Sequence, residues 1–267
     1  MTPRWHTPAL VKASVACHVG AGALALAQPA LWPWALGAVA LDHALITATG
    51  LWPRSTWLGA NILRLPPASA ARREVALTID DGPDPQITPA VLDLLDAHGA
   101  RATFFCIASH AGQHAALCRE IVRRGHSVQN HSFDHAHTFS LLGPRAIRRE
   151  LVRAQDALAQ VTGQRPRFFR APAGLRNLFL APVLHELDMQ LVAWTRRGFD
   201  TVRRDPADVL ARLTRALAAG DILLLHDHHA AMAASGRPVT LEVLPTLLKR
   251  FEQTRLRAVT LPEAFAP

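Results

Sequence analysis

From Val75 onward the chain alternates short apolar or β-branched runs with amphipathic helical stretches, and this rhythm restricts the fold to an α/β parallel sheet or barrel. The strand-like runs are Val75–Ile79, Ala102–Cys106, Ser127–Asn130, Phe168–Phe169, Gln190–Trp194, Ile222–Leu225 and Leu256–Val259. Helices are predicted between them over 88–98, 114–124 (closed by Gly125), 144–161 (opened by Gly143-Pro144), 176–187, 205–219 and 241–253. In such folds the residues just past the C-terminal strand ends gather into one pocket. Here those ends carry Asp80-Asp81, Asn130-His131, Arg170, the loop after Trp194, and His226-Asp227. Five separate strand ends bearing reactive groups argue for a site rather than for solubility.

The first 65 residues differ in kind. No charged residue occurs from Ala13 to Leu41, and the apolar character resumes after Asp42 and His43 as far as Trp52. The pattern predicts a membrane-associated helical hairpin, residues 9–27 and 33–52, turned at Gln28-Pro29 and Trp32-Pro33-Trp34. Asp42 is costly there unless it faces a partner such as His18. Trp32, Trp34, Trp52 and Trp57 stand where interfacial anchors would. A cleaved signal peptide ending at Ala25-Leu26-Ala27, or a soluble helical extension, competes with this reading. The apolar run continues well beyond that cleavage site, which favours the hairpin. Arg4, Lys12, Arg54 and Arg64 flank its outer ends, so the positive-inside rule leans the following domain toward the cytoplasmic face of an inner membrane; a periplasmic or secreted protein is the alternative. Residues 66–72, with Pro66-Pro67, read as a linker, and 73–267 as the catalytic domain.

The 29 basic against 21 acidic residues leave a net charge of +8, which suits a nucleic acid, an anionic membrane or a phosphorylated substrate. Nucleic acid is disfavoured: Tyr is absent, and no zinc finger or RNA-binding aromatic signature is present. Most arginines are scattered, as on solvated helix faces. Cys17, Cys106 and Cys118 form neither a disulfide framework nor a thiolate metal site, and Cys106 reads as core.

Two adjacent carboxylates at a strand end, Asp80 and Asp81, can divide metal binding from base catalysis, although Gly82-Pro83 equally fits a plain Asx turn. His131 and His135 lie four apart, so on a helical turn they would share a face and chelate one cation. With Asp81 they make a two-His-one-carboxylate set suited to zinc, cobalt, nickel or iron; His126 and His137 fall outside it. Arg170 could steady a carboxylate, and the Pro172-Ala173-Gly174 turn could aim an N–H at an oxyanion or simply be a surface turn. His226, ending a very apolar strand, is either a satisfied core imidazole or a proton donor opposite the metal. Asp227, His228 and His229 are assigned supporting or loop roles.

Thr78-Ile79-Asp80-Asp81-Gly82-Pro83, His131-Ser-Phe-Asp-His135, Arg170-Ala-Pro-Ala-Gly174 and Leu224-Leu-His226 together resemble, in order, the motifs of the polysaccharide deacetylases, carbohydrate esterase family 4, over roughly residues 72–262. The resemblance implies a distorted (β/α) barrel of about seven parallel strands. It implies a divalent metal, usually zinc, on Asp81, His131 and His135. Asp80 would be the general base, oriented and held ionised by Arg170, and His226 the general acid, oriented by Asp200. The Ala173 N–H would join the oxyanion hole, Leu224 would line the acyl pocket, and Pro172 and Ala173 would count with it among the substrate-binding residues. Three departures stand out: Ile79 replaces the usual Phe, Ala173 stands where many members carry Tyr, and the fourth motif survives only in part as Trp194-Thr-Arg-Arg-Gly-Phe-Asp200. They leave the chemistry intact and widen the choice of substrate, and Arg196, Arg197, Arg203 and Arg204 are expected near the rim.

The expected activity is removal of an N-acetyl or N-formyl group from an amino sugar of an envelope glycan or lipid-linked sugar, by a monomer at a membrane. A secreted deacetylase of chitin-like or peptidoglycan polymers is the second reading. A non-catalytic sugar-binding protein on the same fold is the third.

Overall fold

A computed structural model describes residues 5–266. Two long helices come first, α1 (Ala9–Ala27) and α2 (Trp32–Gly50), followed by the short helix α3 (Pro67–Ala71). Then β1 (Glu74–Asp80), α4 (Thr88–Ala97), β2 (Ala102–Cys106), α5 (Ala108–Gln113), α6 (Ala115–Arg123), β3 (Ser127–Asn130) and α7 (Pro144–Thr162) alternate. β4 (Phe168–Phe169), α8 (Leu180–Glu186), β5 (Gln190–Leu191), β6 (Arg196–Arg197), α9 (Pro206–Thr214), β7 (Ile222–His226), α10 (Val239–Gln253), β8 (Arg257–Ala258) and α11 (Leu261–Ala264) complete the chain.

Every strand pairing is parallel, in the order β5-β4-β3-β2-β1-β7-β6, with β8 joined to the start of β1. This is the incomplete, distorted (β/α) barrel expected. Strand alternation divides the side chains into two sets. Val75, Leu77, Ile79, Phe104, Cys106, Val128, Leu223 and Leu225 face outward into one large core shared with the helices. Ala76, Phe105, Phe168 and Ile222 face inward, where Leu65, Val259, Leu261 and Ala264 close the bottom. Thr78 and Asp80 on β1, and Leu224 and His226 on β7, belong to this inward set, and Asp80 pairs directly with His226 across the ladder. The two groups are thus delivered to one place by register alone.

Several boundaries differ from those read in the sequence. The expected strand 190–194 is cut short to β5 at Gln190–Leu191, and an extra strand, β6, follows at Arg196–Arg197, whose arginines carry no apolar signal. Helix 205–219 stops at Thr214, and left-handed Ala216 (φ 52°) turns the chain back. Helix 176–187 begins only at Leu180, because Arg176 turns aside to bond the hairpin's exit. The segment read as a linker is helix α3: Ser69 is fully buried and its hydroxyl donates to the Ala264 carbonyl at 2.8 Å. Residues 53–65 likewise pack on the barrel, with Leu58 and Leu65 buried and Ile62 bridging to Val192.

α1, and α2 together with the turn before it (Pro29–Gly50), are long and apolar enough to cross a membrane, with mean hydropathy 1.6 and 1.2. Nineteen residues at the helical rise give α1 a length of about 28 Å, close to a bilayer core. Asp42 finds its partner within the pair, though Ser14 rather than His18 is the closer: the Ser14 hydroxyl donates to it at 2.7 Å, and His18 Nδ1 stands 3.8 Å away.

Candidate active site

The inward ends of the strands open into a cavity of about 620 Å³. Asp80, Asp81, His131, His135, Ala173, Leu224 and His226 line it. Arg170 and Asp200 lie behind these residues and Pro172 opens the turn that carries Ala173, so all ten sequence-derived residues belong to one constellation.

Arg170 is its structural hinge. It is wholly buried at the end of β4, and Nη1 donates to Asp80 Oδ1 at 2.6 Å and to Thr78 Oγ1 at 2.8 Å. Nε and Nη2 donate to the carbonyls of Val192 and Ala193 at 3.2 and 2.9 Å, while the guanidinium lies over the Phe105 ring at 4.2 Å. A buried guanidinium is tolerable only when its donors are matched in this way. The Arg170 carbonyl also accepts from His131 Nδ1 at 2.8 Å. Because a carbonyl cannot donate, Nδ1 carries the proton there and Nε2 is turned toward Asp81.

Asp81 takes the left-handed conformation (φ 76°), which swings its carboxylate away from Asp80 and toward the histidines. Its buried Oδ1 lies 3.2 Å from His131 Nε2 and 3.4 Å from His135 Nε2, yet receives a well-formed hydrogen bond from neither. Burial alone would raise the Asp81 carboxyl, but the His131 and His229 rings hold it far below the usual carboxylate range. Burial alone would lower His131, and the Asp80 and Asp81 charges outweigh this and raise it. Burial, then the neighbouring His131, push His135 down to about 4. The pocket therefore demands positive charge beside Asp81 while keeping His135 a neutral donor. Three ligand atoms within 4.8 Å of one another, one of them an orphan carboxylate oxygen, fit a divalent cation. The 3.2 and 3.4 Å spacings are close to the edge of roughly 3.3 Å for a tetrahedron of zinc ligands.

His131 and His135 do not share a helical face as their spacing suggested. The loop between them is irregular, with left-handed Ser132 (φ 68°) and His135 (φ 51°). It is held from outside: Glu150 on α7 accepts from the Phe133 and Asp134 amides at 2.9 and 3.2 Å, and Asn130 Oδ1 accepts from Ser132 N at 2.8 Å. Glu150 has no local signal in the sequence, being an acidic residue on a helix well downstream. Asn130 and Thr78 were reachable, since each adjoins a site residue or shares its strand face.

On the opposite wall, Asp200 is fully buried and accepts from His226 Nδ1 at 2.9 Å, His226 N at 2.7 Å and Thr240 Oγ1 at 2.9 Å. Burial would lower the His226 imidazolium, and the Asp200 carboxylate reverses this and pushes it up to about 9. His226 is then protonated at neutral pH and loses its proton only as pH rises through about 9. Asp227 is buried too, packed so tightly on Gly82 that any Cβ there would come within 2.4 Å of its carboxylate oxygens. Burial raises its carboxyl to about 7. His110, His228 and His229 form a rim, with His228 Nδ1 2.7 Å from Asp84. Of the arginines expected near the rim, only Arg197 lines the cavity. Arg196 is spent on Asp221 at 3.0 Å and Arg203 on Asp208 at 3.3 Å, and Arg204 lies away from it.

A parallel α/β barrel with two histidines and an aspartate gathered at one mouth defines an α/β scaffold with a candidate metal site. Comparison with known proteins narrows it. Residues 68–192 match the polysaccharide deacetylase family. A chitooligosaccharide deacetylase of Sinorhizobium fredii is 32% identical over 74% of this chain and 95% of its own length. The peptidoglycan-N-acetylglucosamine deacetylase PgdA of Listeria monocytogenes is 30% identical over 74% of this chain, which spans only 40% of that protein. A family 4 carbohydrate esterase of Streptomyces lividans, solved with acetate, superposes with a TM-score of 0.62 at 30% identity, covering 69% of this chain and 91% of that one. A Bacillus anthracis protein described as a pseudoenzyme of the same family gives 0.68 at 25% identity, over 78% of this chain and 69% of that one. The chain belongs to the polysaccharide deacetylase family.

Two outcomes test the supports of the site. Glu150→Ala is expected to weaken zinc affinity by about 10- to 100-fold without unfolding the barrel, read by chelator competition alongside thermal melting; unchanged affinity would show that the loop holds itself. Asp200→Asn is expected to lower the His226 titration from about 9, because the carboxylate that holds the proton is lost and burial then dominates, followed by imidazole NMR, with the alkaline limb of any activity profile moving down with it.

Proposed function

We propose that the protein is a metal-dependent hydrolase that removes the N-acyl group, acetyl or formyl, from an amino sugar. The observation that carries this reading is the division of charge across one cavity. Asp80 is clamped by Arg170 at 2.6 Å on one side, and His226 is clamped by Asp200 at 2.9 Å on the other. Since a pseudoenzyme shares the fold, the barrel alone argues nothing about activity. The complete set of groups does.

Asp81, His131 and His135 would hold the cation, for which zinc is the best match to the donor set, with cobalt, nickel or iron as alternatives. When bound, it would supply Lewis acidity toward the acyl carbonyl and lower the pKa of water in the cavity. Asp80 takes a proton from the attacking water as its oxygen bonds to the carbonyl carbon. Arg170, fixed by four acceptors, keeps the Asp80 carboxylate aimed at that proton. The turn uses its Gly174 and Leu175 amides internally, at 2.8 and 3.0 Å, while Ala173 faces the cavity, where its N–H would stabilise the developing oxyanion. His226 then gives its proton to the amine nitrogen as the carbon–nitrogen bond breaks, releasing the carboxylic acid and the free amino sugar. Leu224 and Trp194 form the apolar wall on which a small acyl group would rest.

The two apolar helices support a membrane anchor. The arginines beyond them lean the catalytic domain toward the cytoplasmic face of the inner membrane. The substrate best matching both features is an amino sugar of an envelope glycan or a lipid-linked precursor.

With zinc present, the purified protein is expected to release acetate or formate and expose a free amine on an N-acylated amino-sugar oligomer or glycolipid, read by mass spectrometry. Asp80→Asn should keep its metal and lose at least about a hundredfold in rate; full activity in that variant, or no released acid from any such substrate, would overturn the reading. The protein is also expected to stay with membranes through high-salt and alkaline washes, whereas release by salt alone would remove the hairpin.

A further inference from the structure

We propose that a cleft beside the catalytic cavity is an anion subsite, and that the amino sugar acted on carries a phosphate or diphosphate. The inference rests on the deacylase reading and narrows its substrate.

The cleft has a volume of about 480 Å³ and adjoins the catalytic cavity, sharing Trp194 and Arg197 as a common wall. Four arginines besides Arg197 line it, and no acidic residue does. Their charges are unequally committed. Arg196 is consumed by Asp221 and by the carbonyls of Arg215 and Ala216, and Arg212 is shared with Asp208 at 3.0 Å. Arg54, Arg197 and Arg215 make no ion pair among the described residues. Arg197 goes further: its guanidinium is sandwiched 5.2 Å from the Trp194 ring and 4.8 Å from the Phe199 ring, and its buried Nε has no acceptor. No group of the protein accepts from that Nε, so the Arg197 guanidinium is held by the two rings rather than by a carboxylate or carbonyl. Three uncommitted guanidiniums around one cleft match the two to three charges of a sugar diphosphate better than a neutral glycan, and their planar forks suit phosphoryl oxygens.

Position makes the same point. Trp52, Pro53 and Arg54 enter the cleft directly from the end of α2, and Trp52 is half exposed there. The cleft thus lies between the catalytic cavity and the end of the apolar hairpin. A phosphodiester joining a sugar to a lipid occupies that same place between sugar and bilayer. A soluble nucleotide sugar offers the same chemistry, so the test includes both.

Binding of inorganic pyrophosphate to the full-length protein, measured by calorimetry in EDTA so that no cation at the histidines attracts it, is expected to saturate. Arg197→Gln and Arg54→Gln, each shown to melt like the wild type, should each weaken it at least tenfold. Absence of binding, or binding unchanged in both variants, would overturn the subsite. In the zinc-loaded protein, kcat/KM for N-acetylglucosamine on a short polyprenyl diphosphate and for UDP-N-acetylglucosamine is compared with that for neutral diacetylchitobiose. At least one diphosphate substrate is expected to exceed the neutral one tenfold, with that ratio collapsing in Arg54→Gln; the better of the two identifies lipid or nucleotide as the source. A ratio near one overturns the proposal while leaving the deacylase reading standing. Pyrophosphate binding without turnover of any substrate sinks the deacylase reading and leaves the subsite.

Discussion

The buried contact between Arg170 and Asp80 is the interaction on which the rest of the site depends. Placing a guanidinium inside a barrel is expensive, and it persists only because a carboxylate, a hydroxyl and two carbonyls meet it at 2.6 to 3.2 Å. Those acceptors come from two parts of the wall, β1 and the stretch between β5 and β6. The same residue's carbonyl sets the tautomer of His131. One side chain and one backbone oxygen therefore couple the proposed base to the proposed metal ligands. Removing the Arg170 side chain would strand Asp80 and free the segment whose carbonyl orients His131, so the two halves of the chemistry are not independent parts.

Much of this was legible before any coordinates, and the reason is geometric. Parallel strands with period-2 alternation carry Thr78 and Asp80, or Leu224 and His226, onto one inward face, and the strand ends collect there whatever the helices do. What escaped were the supports that come from distant segments and carry no motif of their own. Glu150 holds the histidine loop from α7, Thr240 completes the bonds to Asp200 from α10, and neither has a neighbour in the chain that betrays it. The spacing of His131 and His135 suggested a helix, but left-handed Ser132 and His135 reach the same convergence by a loop, in which the side-chain oxygens of Asn130 and Glu150 accept from backbone amides that carbonyls would have served in a helix. The extra strand β6 was invisible for a related reason: two arginines form a strand only because β7 offers them a partner.

The supposed linker teaches the opposite lesson. Proline and alanine in succession suggest a flexible joint, yet α3 is locked by Ser69 against the C-terminal turn, and the residues before it plug the gap between β5 and β7. The hairpin and the barrel meet without slack. Gly50 receives the Arg176 amide at 3.1 Å, Arg176 bonds the Ser55 carbonyl, and Gly174, with φ 74°, lies so close to Pro53 and Trp194 that a Cβ would come within 2.7 Å of both.

That last contact has a consequence for how such a protein would find its substrate. The turn bearing Ala173 rests directly on the first residues after α2, so the mouth of the cavity stands at a fixed height and tilt relative to the apolar helices. For a hairpin seated in a bilayer, the protein cannot range outward along a long polymer as a tethered domain on a loose stalk would. Anchored in that way, it would search in two dimensions and meet only sugars carried at the membrane surface. Reach, rather than pocket shape alone, then becomes a determinant of specificity.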